Sequence, residues 1–237
     1  MKILTIIPAY NEAQNISQVI EELSRDFPET DILVVNDCSS DDTEGIVRST
    51  GVCCVSQPFN MGYAAALQTG FKYAVHHNYD YIIQFDGDGQ HIADEARKLY
   101  QHATTHNFDV VIGSRYIGQT GYKNSFFRNL GTNFFRWLIS VFCAKTIYDP
   151  TSGLQVLSRK YYTIFSSMNG YAEYPDANLL IELLKSGAIV DEVPVKMRNR
   201  IAGESMHGGI VKPIKYMILM TYSIFIVLLR KRNRFSR

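Results

Sequence analysis

Two aspartates separated by one glycine are the strongest chemical signal in the sequence. Asp86 and Asp88 follow a short apolar run, and Gln90 comes two residues later. Carboxylate and amide oxygens are hard ligands that suit Mg²⁺ or Mn²⁺, and such a site commonly leaves positions open for substrate phosphates. A solvated surface turn is the alternative, but like charges at the end of a buried strand are costly without a cation. The motif therefore predicts a divalent metal site.

Four arginines are candidates for binding phosphate beside this metal. Arg115 comes after another apolar run, Arg128 opens a helical segment, and Arg198 and Arg200 lie in the segment MRNRIAGES. Arginine offers a planar pair of N–H donors to phosphate oxygens. Each arginine alone is typical of a surface charge, but the glycine-bearing turns near them favour a phosphate role. A metal site with arginines beside it indicates that the ligand is a nucleoside diphosphate. The sequence has neither a Walker loop nor GxGxxG, which argues against a P-loop NTPase and a dinucleotide-dependent dehydrogenase.

These residues need a scaffold that brings them together. Short apolar runs alternate with helical segments in the first half of the chain. The predicted strands are Ile3 to Ile7, Ile32 to Val35, Val52 to Ser56, Tyr81 to Phe85 and Val110 to Gly113, and the predicted helices are 13–27, 64–74 and 93–105. Continuous hydrophobicity in the strands indicates that both faces of the sheet are covered. The pattern predicts an α/β fold with a mostly parallel sheet, whose ligands bind at the carboxyl ends of the strands.

The second half is less regular, and no repeat or low-complexity linker separates it from the first. It contains an aromatic helix at 126–142, a turn at 149–153, a helix at 177–185 and a short strand at 189–193. We therefore expect one domain at 1–210, formed by halves at 1–115 and 116–210, with a separate C-terminal segment at 211–237.

Composition and charge limit the classes of protein that this chain can belong to. The 237 residues are 46% hydrophobic and 20% charged, which is typical of a folded globular protein. A net charge of +1 argues against binding of nucleic acid through a broad basic face. The four cysteines form no CxxC pair, and we expect them to be buried or free thiols in a reducing cytoplasm.

The C-terminal segment combines an apolar stretch with a basic tail. Tyr216 to Leu229 contains no charged residue, and the last eight residues include Arg230, Lys231, Arg232, Arg234 and Arg237. A single helix needs about 20 apolar residues to cross a bilayer, so this stretch is short for a span. It predicts an amphipathic helix at the membrane interface, with its cations at anionic headgroups. A buried core helix is the alternative.

Six motifs in a fixed order connect the sequence with a known family. They are PAYNE, NDCSSDDT, NMGYAAALQTGFKYA, FDGDGQH, GSRY and DPTSGLQ. Over residues 3–205 the series resembles glycosyltransferase family 2, with its Rossmann-like GT-A fold, and is most similar to the polyprenyl-phosphate sugar transferases such as dolichol-phosphate mannose synthase. The resemblance implies a metal-dependent, inverting transfer of a hexose from a nucleotide sugar. It places the nucleotide sugar in residues 1–115 and the acceptor in residues 116–210.

The resemblance also implies roles for individual residues. The implied nucleotide contacts are Pro8, Tyr10, Glu12, Asp37, Asp86 and Gly87, and the implied metal ligands are Asp86, Asp88 and Gln90. The implied catalytic and phosphate-binding residues are Asp88, Arg115, Arg128 and Arg200, with Arg198 and Ser205 in the same acceptor and phosphate loop. Three positions depart from the family: Asn36 replaces an acidic residue, Met206 replaces a common lysine, and residues 173–176 differ from the usual acceptor-side pattern.

Three functions remain open at this stage. The first is a transferase that moves a hexose onto polyprenyl (undecaprenyl) phosphate, with a UDP-sugar as the favoured donor and a GDP-sugar as the alternative. It would act peripherally at the cytoplasmic face of the cell membrane, for cell-surface glycan and cell wall polysaccharide assembly, and a small membrane protein is a further candidate partner. The second is a glycosyltransferase with a sugar-hydroxyl acceptor, for which Asp176 is the candidate catalytic base. The third is a non-catalytic subunit that binds lipid or nucleotide.

Overall fold

The structure is a computed structural model that describes residues 1–118, 126–167, 175–199 and 211–229. Strands and helices alternate along the chain. The strands are β1 Ile3–Ala9, β2 Asp31–Asn36, β3 Cys53–Ser56, β4 Tyr81–Gln84, β5 Val110–Ser114, β6 Gln155–Ser158 and β7 Val190–Pro194. The helices are α1 Ile16–Asp26, α2 Thr43–Ser49, α3 Tyr63–His76, α4 Ala93–His106, α5 Phe126–Cys143, α6 Arg159–Ser166, α7 Ala177–Lys185 and α8 Val211–Leu229.

The seven strands form one sheet in the order β3-β2-β1-β4-β6-β5-β7. Strand β6 is antiparallel to β4 and β5, and the other neighbouring pairs are parallel. The predicted α/β class with a mostly parallel sheet is confirmed. The sequence interpretation missed α2, β6 and α6, because these short elements lack a periodic apolar pattern long enough to identify them.

Strand β1 continues through Pro8 to Ala9, two residues beyond the predicted end. Its pairing with β4 runs only from Ile3 to Ile6, whereas its pairing with β2 continues through Ala9. Proline lacks an N–H, and at this position the missing donor would face the side where β4 has already ended. This inner strand therefore tolerates a proline near its carboxyl end.

A hydrophobic core lies on each face of the sheet. Ile6 belongs to the core beneath α3, α6, α7 and α8, and the next residue, Ile7, belongs to the core beneath α1 and α4. Consecutive side chains of a strand point to opposite faces. Both layers of helices are therefore attached to the same central strand, which explains the continuous hydrophobicity of its sequence.

Helix α8 belongs to the first of these cores. Tyr216, Met220 and Ile224 are buried and pack with α5 and α7. The division of the chain at residue 211 stays a prediction, and in the structure the inner side of α8 packs into the core of the main domain. Its opposite side is exposed and apolar, and Ile218 is 64% exposed. Among the residues described, no helix has the length and apolar character needed to cross a membrane.

The four cysteines carry free thiols. Cys38 and Cys53 are exposed, and burial raises the pKa of the half-buried Cys54 thiol above its ordinary value.

We predict that Ile224→Ala destabilises the protein and that Ile218→Ala does not. Ile224 is fully buried on the inner side of α8, whereas Ile218 lies on the outer side of the same helix. Removing a buried isoleucine side chain leaves a cavity and should lower the free energy of unfolding by about 2–5 kcal/mol, while the exposed substitution should change it by about 0.5 kcal/mol or less. Chemical denaturation of both variants measures this, and equal effects would contradict the packing of α8 on the domain.

Candidate active site at the carboxyl edge of the sheet

The loops after β1 and β2 are locked together at the carboxyl edge of the sheet. Asn11 adopts a left-handed conformation with φ of 56°, and its Oδ1 accepts the backbone N–H of Ser40 at 2.8 Å. The backbone N–H of Glu12 donates to Thr43 Oγ1 at 2.9 Å. Of the implied nucleotide residues, Pro8 lies in β1, and Tyr10 and Glu12 lie on the braced loop that follows it, where Tyr10 is exposed. Their contact with a nucleotide stays a prediction.

Asp37 is buried and orders the loop that leads into α3. One carboxylate oxygen accepts the backbone N–H of Met61 and the other accepts that of Gly62, both at 2.8 Å. Gly62 has a φ of 88°, in the left-handed region that favours glycine. Asn36 is also engaged: its Nδ2 donates to Glu44 at 3.2 Å. The structure therefore shows a loop-ordering role for Asp37, and its implied nucleotide contact stays a prediction.

The Asp86 carboxylate is held by groups from three other parts of the chain. The Tyr63 hydroxyl donates to Oδ1 at 3.1 Å, and His91 Nε2 lies 3.0 Å from Oδ2. A Cβ added to Gly153 would lie only 2.5 Å from Oδ2, so the backbone of the DPTSG turn closes the third side. Sequence reasoning did not single out these three residues, although each belongs to a quoted motif.

The electrostatics of this cluster keep Asp86 ionised and Tyr63 protonated. Burial alone raises the pKa of Asp86, but the hydrogen bonds with His91 and Tyr63 and the charge of Arg115 outweigh it, so the pKa lies below its ordinary value. Burial and the neighbouring Asp86 carboxylate raise the pKa of Tyr63 well above its ordinary value. At neutral pH the protonated Tyr63 hydroxyl therefore donates its hydrogen bond to an ionised Asp86 carboxylate.

Asp88 and Gln90 continue the predicted metal motif. Asp88 is buried, and its Oδ1 accepts the backbone N–H of Gln90 at 3.0 Å. Gln90 Nε2 lies 3.4 Å from the carbonyl oxygen of Arg198, which leaves the amide oxygen for a cation. Gly89 has a φ of 75°, whereas a Cβ on Gly87 would meet only ordinary contacts, the nearest at 3.4 Å. The tight turn therefore requires glycine at 89 and not at 87.

These donors fit a divalent cation that is shared with a substrate. Over residues 1–118, 126–167, 175–199 and 211–229, no three His, Cys, Asp or Glu side chains form a group that could hold a metal. Mg²⁺ and similar ions are commonly bound by one or two carboxylates together with substrate phosphates, rather than by an all-protein cage. Two carboxylates beside an amide oxygen match that arrangement.

Arg115 forms a buried ion pair with Asp149. Its Nε and Nη2 lie 2.7 and 2.8 Å from the two carboxylate oxygens, and Asp149 is fully buried. Nη2 also donates to the carbonyl oxygen of Thr151 at 3.1 Å. Arg115 thereby fixes the turn that presents Gly153 to Asp86. This positioning role is what the structure shows, and the implied phosphate contact of Arg115 stays a prediction.

Arg198 is also engaged by a carboxylate. Its guanidinium contacts both oxygens of Glu22 on α1, one of them at 3.1 Å, and its backbone N–H donates to the carbonyl oxygen of Gln90 at 2.8 Å. Glu22 also accepts the backbone N–H of Ala93 at 3.0 Å. The guanidinium of Arg198 thus holds the segment after β7 against α1, and its backbone N–H holds that segment against the predicted metal motif. Two further candidates, Arg200 and Ser205, lie outside the described residues, as does the side chain of Arg128 at the start of α5.

Asp176 lies just before α7, on the acceptor side of the cluster. The hydroxyl of Tyr216 on α8 donates to its Oδ2 at 2.7 Å. Burial raises the pKa of Asp176 to about 6; the Tyr216 hydrogen bond opposes this shift, and the Asp86 charge adds to it. The charge of Asp86 therefore influences the protonation of Asp176.

We predict that Asp176→Asn gains stability relative to the wild type as the pH rises from about 4 to about 7.5. The carboxyl has a pKa of about 6 in the folded protein, against an ordinary value of 3.8. Its stabilising contribution is therefore complete below the lower value and is lost as the pH rises through the higher one. Asparagine does not titrate, so the difference in free energy of unfolding should grow by on the order of 1–3 kcal/mol.

Denaturation of both proteins in EDTA at several pH values measures this difference. A difference in the free energy of unfolding that does not change with pH would contradict a buried Asp176 carboxyl with a raised pKa.

Comparison with curated proteins identifies relatives along most of the chain. A polyprenol monophosphomannose synthase of Mycolicibacterium smegmatis is 26% identical over 219 residues, which cover 87% of this chain and 81% of that protein. A UDP-N-acetylglucosamine–dolichyl-phosphate N-acetylglucosaminyltransferase of Methanococcus voltae is 27% identical over 82% of this chain and 84% of its own. An undecaprenyl-phosphate mannosyltransferase of Micrococcus luteus is 27% identical over 89% of this chain and 90% of its own.

A solved structure and a family model agree with these relatives. A glucosyl-3-phosphoglycerate synthase from Mycobacterium tuberculosis, in complex with Mn²⁺, uridine diphosphate and glucosyl-3-phosphoglycerate, superposes with a TM-score of 0.67 at 17% identity, over 96% of this chain and 78% of that one. This likeness confirms the predicted GT-A-like fold. The family model described as "Glycosyl transferase family 2" matches residues 5–165. Because that match covers more than half of the sequence, the chain belongs to glycosyl transferase family 2.

Proposed function

We propose that this glycosyltransferase moves a hexose from a UDP-sugar onto a polyprenyl phosphate, with inversion at the anomeric carbon. The observation that carries the proposal is the braced pair of Asp86 and Asp88 at the end of β4, a donor set suited to a cation shared with a diphosphate. The three named relatives are a polyprenol, a dolichyl-phosphate and an undecaprenyl-phosphate transferase, which supports the acceptor class. One of them is named for a UDP-sugar, which supports the donor.

Asp86, Asp88 and the Gln90 amide oxygen would hold Mg²⁺ or Mn²⁺. When bound, the cation neutralises charge on the diphosphate leaving group. The residues around it act by preorganisation: Tyr63 and His91 keep the Asp86 carboxylate in one orientation. Fixed charges that need no rearrangement during the reaction stabilise the transition state most effectively.

The acceptor chemistry follows from the charge of a lipid phosphate. A phosphate monoester is already an anion at neutral pH, so its oxygen can attack the anomeric carbon without losing a proton. The new bond forms on the face of the anomeric carbon opposite the diphosphate. The bond between the anomeric carbon and the diphosphate oxygen breaks, and the nucleoside diphosphate leaves. A single displacement of this kind inverts the anomeric configuration, and the protein contributes mainly by positioning the two substrates.

A sugar-hydroxyl acceptor is the second candidate, and Asp176 is the observation that favours it. A hydroxyl must lose its proton during attack, and a carboxyl with a pKa of about 6 is suited to general-base catalysis near neutral pH. The structural neighbour named above is a glucosyl-3-phosphoglycerate synthase, whose name refers to phosphoglycerate and not to a lipid phosphate. The two candidates differ in whether Asp176 must accept a proton.

We predict that Asp88→Ala abolishes sugar transfer and the metal-dependent part of nucleotide binding. Without this buried carboxylate the cation loses one of its two charged protein ligands. Asp94→Ala is a matched control, because Asp94 is an exposed aspartate on α4, six positions along the chain. Calorimetric titration with UDP, with and without Mn²⁺, gives the binding, and circular dichroism tests the fold. Full activity of the wild type in EDTA would overturn the metal assignment.

We predict that Asp176→Asn lowers transfer to undecaprenyl phosphate only modestly. If the acceptor were a sugar hydroxyl, the loss should be about 10²-fold or more, because a general base would be missing. The wild type is first incubated with a panel of UDP- and GDP-sugars and with both acceptor classes, and products are identified by mass. A severe loss with undecaprenyl phosphate, while donor binding is preserved, would favour the hydroxyl mechanism.

A further inference from the structure

Glu22 is a buried carboxylate on α1 that contacts two separate parts of the chain. Its Oε1 accepts the backbone N–H of Ala93 at 3.0 Å and lies 3.1 Å from Arg198 Nη2, and its Oε2 contacts Arg198 Nη1. Only 9% of the Glu22 side chain is exposed, and a carboxylate buried to this extent is costly without such partners. Glu22 therefore joins the start of α4 to the segment after β7.

Both partners of Glu22 lie next to Gln90, the third residue of the predicted metal motif. Ala93 is the first residue of α4 and follows Gln90 by three positions. Arg198 contacts Gln90 directly: its backbone N–H donates to the Gln90 carbonyl oxygen at 2.8 Å, and its own carbonyl oxygen lies 3.4 Å from Gln90 Nε2. Glu22 thus holds both segments on which the position of Gln90 depends.

The orientation of the Gln90 amide decides whether this side chain can bind a cation. Its oxygen is an acceptor, whereas its nitrogen carries two N–H donors, and only the oxygen suits a hard cation such as Mn²⁺. The contact between Nε2 and the Arg198 carbonyl oxygen assigns the nitrogen to the protein and the oxygen to the cation. Groups that orient a metal ligand in this way commonly change metal affinity by about 10- to 100-fold when they are replaced.

A phosphate contact is the alternative role for the Arg198 guanidinium. In the structure both of its terminal nitrogens contact Glu22, and these hydrogen bonds raise the pKa of Arg198 above its ordinary value. An arginine binds a carboxylate and a phosphate through the same pair of N–H donors. Arg198 would therefore have to leave Glu22 in order to bind a phosphate in this paired manner, which favours an internal role.

We propose that the Glu22–Arg198 pair positions the metal ligand Gln90, so that loss of the pair weakens binding of the divalent cation. This inference rests on the proposed function, since it concerns the cation of that same site. Neither member of the pair is assigned a contact with the cation. Glu22 acts through Arg198 and Ala93, and these act through Gln90. The segment after β7 thereby contributes to the metal site through its backbone.

The test compares Glu22→Gln with a matched change in an exposed ion pair. Glutamine has the size of glutamate and still accepts the Ala93 N–H, but its amide nitrogen would then face a donor of the Arg198 guanidinium. Glu29→Gln is the control, because Glu29 forms an ion pair with Arg97 on α4 at 2.8 Å in which both side chains are exposed. The two variants therefore remove the same charge from a buried and from an exposed pair.

Calorimetric titration with Mn²⁺ in the presence of UDP measures cation binding without any sugar transfer. Glu22→Gln and Arg198→Gln should each weaken Mn²⁺ binding by about tenfold or more, and Glu29→Gln should leave it unchanged. The double variant should bind Mn²⁺ no more weakly than either single variant, because both changes remove the same pair. In transfer assays with saturating UDP-sugar, a higher Mn²⁺ concentration should restore the rate of both single variants.

Three results would overturn the proposal. Wild-type Mn²⁺ affinity in Glu22→Gln would show that the pair does not position Gln90. Losses that add in the double variant would give Glu22 and Arg198 separate roles. A loss confined to Arg198→Gln that persists at saturating Mn²⁺ would assign Arg198 to the substrate phosphates.

Circular dichroism tests the fold of each variant. If Glu22→Gln does not fold, Arg198→Lys carries the same test, because lysine keeps the charge and cannot form the paired contact. The Arg198 side chain is 41% exposed, so the site accommodates this change. Absence of Mn²⁺ binding in the wild type would instead count against the metal site of the proposed function.

Discussion

The buried ion pair between Arg115 and Asp149 is the interaction on which the site depends. Asp149 is fully buried, and an unpaired carboxylate there would be strongly destabilising. Arg115 satisfies both of its oxygens, and Glu192 accepts the backbone N–H of Asp149 at 2.7 Å. The turn that follows is therefore fixed, which places Gly153 against Asp86. A pair with no direct metal role thus determines where the proposed metal ligand lies.

The proposed chemistry depends on the different environments of three carboxyl groups, Asp86, Asp176 and Asp88. Asp86 has a lowered pKa because His91 and Tyr63 hydrogen bonds outweigh its burial. Asp176 has a raised pKa because burial outweighs its single hydrogen bond from Tyr216. Asp88 is also buried, and the charges of all three carboxylates contribute to the raised pKa of Tyr63. A divalent cation would relieve the concentrated negative charge, and a separation of pKa values within one cluster is typical of sites that divide binding and proton transfer.

Helix α8 connects the interior of the enzyme with its outer surface. Its inner side completes the core through Met220 and Ile224 and reaches Asp176 through Tyr216. Lys185 on α7 donates to the carbonyl oxygens of Val227 and Leu228 at 3.2 Å, which satisfies acceptors that a helix end leaves unpaired. The helix is thereby held at both ends, and its apolar outer side is presented in a defined orientation.

The sequence by itself determined the α/β class, the strands from β1 to β5 and the polar motifs at their carboxyl ends, because periodic hydrophobicity and motif order are local properties. It also predicted a metal site at Asp86 and Asp88. Only the tertiary structure decided that Arg198 contacts Glu22, 176 positions away, and that Arg115 is paired with Asp149. It also decided which side of α8 is buried. These outcomes depend on partners that lie close only after folding, and neither the spacing nor the type of a residue specifies a distant partner.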